Sequence, residues 1–200
     1  LGGGTGLSEK RMMTAHRLLC LAAGLLPLAV ATAAIAQPGY PSRPVRAVVA
    51  WPPGGAADII ARLVAQKLGE QLGQQLVIDN RPGASGAIGA GLAAKSAPDG
   101  YTVFVGGMSE LVLNPQIVKV PYDAARDFAA VSPLAFGYYL LVIHPSLPAR
   151  SVKGLIALAR SQPGKLSYGS TGAGSTPHLS AEALNVMANV KTIHVPYKGG

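Results

Sequence analysis

The stretch VRAVVAWPPGGAAD, residues 45–58, decides the fold of this chain. Val45–Trp51 is a short apolar run typical of a buried strand, and the Pro-Pro-Gly-Gly sequence after it ends that strand. Apolar residues then recur at steps of three and four as far as Leu72, which predicts an amphipathic helix ending near Gly73. A buried strand, a glycine-rich turn and an amphipathic helix are the beginning of a βαβ unit.

The same alternation continues downstream. Three further elements are predicted, in order strand Leu76–Ile78, helix Ala87–Ala97 and strand Tyr101–Val105. Strands and helices that alternate at this spacing predict a parallel sheet with right-handed crossovers. Ligands of such sheets bind beyond the carboxyl ends of the strands, which are here the loops beginning at Pro52, Asn80 and Gly106.

A second α/β unit is predicted from residue 140 onward. Its elements are strands Leu140–His144, Lys165–Tyr168 and Lys191–Val195, and helices Ser151–Ser161 and Pro177–Ala188. Ser151 is the expected N-cap of the first of these helices, and a loop of glycine, serine and threonine precedes the second. We expect a first lobe over residues 37–139 and an incomplete second lobe over residues 140–200.

The N-terminal segment has the pattern of an export signal. Basic residues around Arg11 precede an apolar run from Leu18 to Ile35, and small residues end it, which predicts a signal peptide over residues 1–36 that is cleaved after Ala36. A membrane anchor is the alternative, since the run is nearly long enough to span a bilayer. The only cysteine, Cys20, would leave with the signal, so thiol chemistry is excluded from the mature protein.

Charge and motif content exclude several other classes of function. The net charge is +8, but the basic residues are dispersed and form no stripe with interleaved aromatics, so nucleic-acid binding is not expected. The chain has no Gly-x-Ser-x-Gly elbow, Walker motif or complete dinucleotide fingerprint. Its histidines lack metal-ligand spacing. We therefore predict a protein that is not an enzyme and uses no cofactor or metal.

An ordered series of short motifs carries a family resemblance over Tyr40–Gly200. The motifs are Tyr40-Pro41-Ser42-Arg43-Pro44, Pro53-Gly54-Gly55-Ala56-Ala57-Asp58, Asn80-Arg81-Pro82-Gly83, Ala97-Pro98-Asp99-Gly100-Tyr101, Pro121-Tyr122-Asp123, His144-Pro145-Ser146, Gly172-Ala173-Gly174-Ser175-Thr176-Pro177-His178 and Pro196-Tyr197-Lys198-Gly199-Gly200. In this order the chain resembles the tripartite tricarboxylate transporter receptors, the Bug or TctC-like periplasmic solute-binding proteins. The resemblance implies a two-lobed Venus flytrap fold with parallel-sheet lobes, truncated here at its C-terminus.

The first candidate binding loop precedes the first helix. Gly54 and Gly55 allow close approach of the backbone, and the unsatisfied N–H groups and dipole of a helix N-terminus favour an anion. From the residues alone, a tight strand-to-helix turn explains this loop equally well, whereas the resemblance favours an anion nest. Pro53 belongs to the same loop. Asp58 either caps the helix or accepts a hydrogen bond from the ligand or a water.

The second candidate loop precedes the helix that contains Pro177. Its candidate contacts are Ser170, Thr171, Gly172, Gly174 and Ser175, whose amides and hydroxyls would hold a second carboxylate. His178, one turn into the helix, is either a packed or capping histidine or a ligand contact, and the first is preferred. Tyr197 lies in a loop that the resemblance places near the cleft.

The loop after the third strand departs from the family pattern. Gly107, Ser109 and Glu110 are candidate contacts there, but Glu110 and Leu111 stand where relatives have a hydroxyl residue and a histidine. A Glu110 side chain facing the cleft would repel an anion or require an amine or amide on the ligand. A side chain facing solvent would have no effect on specificity.

Together these features predict a monomeric, exported receptor in the periplasm. It would capture a small organic anion, a carboxylate or amino acid, and deliver it to the membrane subunits of a transporter. The alternative is a sensor that presents its bound solute to a membrane kinase. Both functions need only a closed, liganded state, so the sequence does not separate them.

Overall fold

Three parallel strands form the first sheet of the protein. The computed structural model describes residues 39–198, and within them β1 is Val45–Val49, β2 is Leu76–Asn80 and β3 is Thr102–Val105. The strand order is β2-β1-β3, with both outer strands parallel to β1. The sequence prediction of a parallel sheet with β1 buried is confirmed, since Ala47–Val49 are at most 2% exposed.

Two helices cover opposite faces of this sheet. Helix α1, Ala56–Leu72, joins β1 to β2 and contacts both, whereas α2, Ala87–Ala94, joins β2 to β3 and contacts β1 and β3. Because β2 and β3 lie on opposite sides of β1, right-handed crossovers place α1 and α2 on opposite faces. Gly73 ends α1 as predicted, in a left-handed conformation whose amide bonds to the Gly69 carbonyl.

A small hydrophobic cluster fixes the segment after β3 against α2. Ala87, Ala90 and Tyr122 are buried at its centre, with Phe104 and Phe128 packed around them. The Phe128 ring meets the Tyr122 ring edge-on at 6.0 Å. These contacts anchor the chain immediately beyond the third carboxyl-end loop.

The predicted loop after β3 is largely helical. Ser109–Leu113 forms a π-helical turn that continues directly into α3, Asn114–Ile117. This helix could not be predicted, because its few turns have no apolar period long enough to recognise. The helical turn buries Ser109, Glu110 and Asn114 instead of leaving them in an open loop.

The second unit contains two helices and a two-stranded parallel sheet. Helix α4 is Val152–Ser161, β4 is Ser167–Ser170, α5 is Thr176–Ala188 and β5 is Ile193–Pro196, and β4 pairs with β5. Ser151 is the N-cap of α4, and its Oγ accepts a hydrogen bond from the Gly154 amide at 3.1 Å. The predicted cap is confirmed.

The predicted strand Leu140–His144 is wrong. This segment has no regular secondary structure, and Leu140 and Val142 are at least 80% exposed. A strand needs a neighbour for its backbone hydrogen bonds, and within residues 39–198 β4 and β5 pair only with each other. The apolar composition that suggested a strand could not supply that partner.

The structure does not test the predicted signal peptide or the predicted boundary between the lobes. The signal peptide, Cys20 and the cleavage position after Ala36 fall outside the described residues. The division between lobes at residues 139 and 140 remains a prediction. In the part of the chain that the structure covers, no helix has the length and apolar character required to span a bilayer.

Candidate functional site

The three carboxyl-end loops of the first sheet lie along one edge. The strands are parallel, so residues 50–55 after β1, 81–86 after β2 and 106–108 after β3 emerge on the same side. This is the edge at which doubly wound sheets bind ligands, beside the central strand where the connections diverge. The sequence prediction placed its first candidate loop here.

The start of α1 is an uncapped helix N-terminus. Gly55, the N-cap of α1, has an extended backbone and no side chain that could accept from the first-turn amides, while Gly54 has φ +85°. The first bond of the helix runs from the Ile59 amide to the Gly55 carbonyl at 3.0 Å. Pro53, Gly54 and Ala56 are exposed. The first-turn amides of a 17-residue helix are therefore directed toward an open edge.

Asp58 secures this loop from within. Its side chain is 2% exposed and its Oδ2 accepts from the Gly54 amide and from Arg62 Nε, each at 2.9 Å. Its Oδ1 accepts from Asn80 Nδ2 at 2.9 Å. The Arg62 guanidinium, followed by these other donors, holds the pKa of Asp58 well below its usual range. Both oxygens accept from protein donors, so Asp58 stabilises the loop before α1 and leaves the first-turn amides uncapped; a ligand contact stays a prediction.

The amides of the second candidate loop are, in contrast, occupied by protein acceptors. The pairs are Gly172 N–H to Ser170 Oγ, Ser175 N–H to the Gly172 carbonyl, Gly174 N–H to His178 Nδ1 and Thr176 N–H to Ser109 Oγ, at 3.1 to 3.2 Å. Ser175 is fully buried, and its Oγ donates to the Gly172 carbonyl at 2.7 Å. The loop before α5 is a preformed turn closed on itself and on Ser109.

His178 belongs to a stack of rings behind this loop. Its ring centroid lies 4.0 Å from that of His194, which in turn stacks on Tyr168 at 5.0 Å. His194 Nε2 is 2.6 Å from Ser170 Oγ. Burial, with the nearby His178, lowers the pKa of His194. Because His178 Nδ1 accepts the Gly174 amide, the geometry favours the packed or capping interpretation of His178.

The loop before α5 contacts two of the three carboxyl-end loops. Ser109 Oγ lies 2.9 Å from Thr176 Oγ1, and Ser85 Oγ donates to the carbonyl of Ala173. Asn114 Nδ2 donates to the Ser85 carbonyl at 2.9 Å. A side chain at Gly174 would approach Asn114 Oδ1 to 3.2 Å. The start of α5 therefore lies directly against the carboxyl-end edge of the first sheet.

Ser85, Asn114 and Thr176 were not among the predicted site residues. Ser85 could have been found from the sequence, since it lies in a carboxyl-end loop inside a glycine-rich motif. In the structure its φ is +50°, which is unusual for serine. Asn114 and Thr176 carried no such sign. Their roles depend on contacts between segments more than 25 residues apart in the chain.

Glu110 is buried in this arrangement and does not face solvent. It is 0% exposed, its Oε2 accepts from the Gly107 amide at 2.9 Å, and its Oε1 has no hydrogen-bond partner. Its backbone carbonyl accepts from the Tyr122 hydroxyl at 2.6 Å. Burial raises the pKa of Glu110, against the opposing effect of nearby amides and the Trp51 indole. The alternative of a solvent-facing side chain is wrong.

The remaining predicted contacts are more peripheral. Gly107 is exposed, Thr171 is half-buried, and Tyr197 is 64% exposed with its amide bonded to the Ser170 carbonyl at 2.9 Å. The described residues contain no cluster of three or more histidine, cysteine or acidic side chains able to hold a metal ion.

Comparisons with known proteins agree with this architecture. The model of the "Tripartite tricarboxylate transporter family receptor" matches residues 60–200. Protein BugT of Bordetella pertussis is 38% identical over 179 residues, covering 85% of this chain and 54% of that protein. The chain spans about half the length of the curated relatives it matches.

Solved structures give the same result. Rpa4515 of R. palustris, solved with adipate, is 44% identical with a TM-score of 0.71, and MatC of Rhodopseudomonas palustris, solved with bound malate, is 28% identical with a TM-score of 0.70. Each match covers 80% of this chain, and it covers 54% of the Rpa4515 chain and 55% of the MatC chain. Two further solved relatives are described as a periplasmic binding protein, BugD, and a TctC solute binding protein from Polaromonas. The chain belongs to the tripartite tricarboxylate transporter receptor family, with the α/β fold of periplasmic binding proteins.

Proposed function

We propose that this chain is part of a periplasmic receptor that captures a small organic carboxylate and delivers it to a tripartite tricarboxylate-type transporter. The observation that carries the proposal is the exposed, uncapped start of α1 at the carboxyl edge of the sheet, with the start of α5 packed against the same edge. The adipate and malate bound by related receptors support a carboxylate as the ligand class.

The first helix supplies attraction without a formal positive charge. Its first turn presents N–H donors that have no intrahelical acceptor, and the helix dipole favours an anion by about 0.3–1 kcal/mol, or up to about 2 kcal/mol in partly buried geometry. Such binding is reversible, because no covalent bond must be broken. A receptor that passes its solute to a membrane protein needs that property.

The second loop would complete the enclosure. Ser109 Oγ occupies the Thr176 amide in this structure, and a ligand oxygen entering between the two units could replace it with little change in hydrogen bonding. Thr171, Gly174, Ser175 and Tyr197 are kept as candidate contacts on this side. Replacement of Ser109 Oγ by a ligand oxygen at the Thr176 amide would stabilise the closed state of the receptor only when ligand is bound.

The proposed location is the periplasm, reached after removal of residues 1–36. N-terminal sequencing of the protein isolated from the periplasm should begin at Gln37. A mature protein that retains the apolar segment and sediments with membranes would favour the anchor instead.

Binding is tested by thermal-shift screening and calorimetry of the full-length protein against dicarboxylic, amino and aromatic acids. We expect at least one acid to stabilise the protein without being consumed. Gly55→Val should place a branched side chain at the buried N-cap of α1 and weaken binding more than tenfold, about 1.4 kcal/mol. Gly137→Val, at an exposed position that has open space and no left-handed backbone, is the control for folding. Unchanged affinity in Gly55→Val would remove the α1 loop from the site.

A further inference from the structure

A carboxyl group lies in the crevice where the connections of the first sheet diverge. The order β2-β1-β3 sends the chain after β1 toward one side and brings it back to the other for β3. Loops after two such strands open a crevice between them, which is the usual ligand position of this fold. Glu110 follows β3, and Trp51, which follows β1, is close enough to influence its ionisation.

This carboxyl is enclosed but incompletely bonded. Glu110 is 0% exposed, and one oxygen, Oε2, accepts from the Gly107 amide. The other, Oε1, makes no hydrogen bond of normal geometry with the described residues, and the nearby Trp51 indole does not complete one. A buried acceptor left without a hydrogen bond costs about 1–3 kcal/mol, and more when it is charged. Protein interiors seldom keep such a group unless something else satisfies it.

The Gly107 amide and the space left by Gly86 hold the carboxyl group locally. The contact that fixes this turn to the core is made by the Glu110 backbone carbonyl, which accepts from Tyr122. The neighbouring backbone is instead shaped around the side chain, since a Cβ at Gly86 would lie 2.3 Å from Glu110 Cγ and 2.6 Å from its Oε1. Gly86 leaves the space in which the unpartnered oxygen lies.

Charge adds a second constraint. A carboxylate ligand at the α1 start and the buried Glu110 carboxylate would repel each other. A positively charged donor on the same ligand removes that repulsion and supplies the missing hydrogen bond. The structure thus combines an anion-binding helix start with an acceptor that requires a donor.

We propose that Glu110 makes this receptor selective for organic acids that also carry an ammonium group, with the carboxylate at the start of α1 and the ammonium at Glu110 Oε1. The inference rests on the proposed carboxylate-binding function and names the chemical class of its ligand. Charge-assisted hydrogen bonds of this kind are about twice as strong as neutral ones.

The test compares acids that differ only in the ammonium group. Calorimetry and thermal shift are measured for the pairs succinate and aspartate, and adipate and 2-aminoadipate, with the full-length protein. The variant is Glu110→Gln, which keeps the shape and an acceptor for the Gly107 amide. Glu70→Gln is the control, because it removes the same charge from an exposed site on α1 that pairs only with Lys67.

In the wild-type protein and in Glu70→Gln, at least one ammonium-bearing acid should bind tenfold or more tightly than its plain partner. In Glu110→Gln that preference should disappear or reverse. Glu110→Asp, which keeps the charge on a shorter side chain, should retain part of it. The wild-type comparison requires no variant to fold.

Other results overturn the inference. If plain acids bind the wild type as tightly as their amino partners, or if Glu110→Gln keeps the preference, Glu110 does not select the ligand, while the carboxylate-binding function stands. If no acid of either kind stabilises the wild-type protein, the proposed function fails and this inference fails with it.

Discussion

Gly86→Ala is the substitution whose effect the structure defines most closely. Gly86 has φ +90° at the N-cap of α2, where an L-residue costs roughly 1–2 kcal/mol in backbone strain. The new Cβ would also lie 2.3 Å from Glu110 Cγ, and forcing an extra methyl into a packed site costs about 1–3 kcal/mol. We expect a total loss of about 2–5 kcal/mol in the free energy of unfolding.

Gly73→Ala separates the two contributions. Gly73 has φ +67°, a similar left-handed backbone, but a Cβ there would meet nothing within 4 Å. Chemical denaturation followed by far-UV circular dichroism should therefore show Gly86→Ala to be less stable than Gly73→Ala by the steric part alone, about 1–3 kcal/mol.

A double mutant identifies the group responsible. Glu110→Ala removes the atoms that the new methyl would meet, so Gly86→Ala should cost less in that background, with a coupling of about 0.5–3 kcal/mol. If Gly86→Ala destabilises no more than Gly73→Ala, or if the two substitutions are additive, Glu110 does not pack on Gly86 and the description of the crevice is refuted.

Three other predictions concern the same region. Because burial raises the pKa of Glu110, the wild-type protein should lose stability as pH rises from about 4.5 through the folded-state pKa. Denaturation at a series of pH values should show Glu110→Gln gaining stability relative to the wild type across that range. A difference that does not change with pH would contradict this. Because the pKa of His194 is lowered, the protein should lose stability as pH falls below about 6.5, and His194→Gln should make that loss smaller. If the dependence of stability on pH is unchanged in His194→Gln, another group causes the loss. Ser109→Ala should cost about 1–3 kcal/mol by leaving the Thr176 amide without its acceptor, and a loss below the error of the denaturation measurement would show that another acceptor replaces it.

The first sheet could be predicted from sequence because its signals are local. The apolar run of β1, the three- and four-residue steps of α1 and the left-handed Gly73 each depend on neighbours within a few positions. The same holds for the Ser151 cap, whose partner is three residues away. Local patterns of this kind specify an element before any tertiary contact exists.

The parts that sequence could not supply depend on distant partners. Leu140–His144 has the composition of a strand but no neighbour to pair with among the described residues. The amides before α5 look like an open anion nest, yet one of them is occupied by Ser109, 67 residues earlier. The direction of the Glu110 side chain depends on the space left by Gly86. Periodicity contains no information about any of these three contacts.

The candidate site relies on backbone dipoles because the nearby cation is already engaged. Arg62, one turn beyond Asp58 on α1, bonds to that carboxylate and to Asn80 Oδ1 at 3.3 Å. Its charge thus stabilises the loop that shapes the helix start. Amides held at fixed positions recognise an anion by direction as well as by charge, since each N–H must point at an oxygen. A site built this way can discriminate among acids of equal charge, which the proposed receptor function requires.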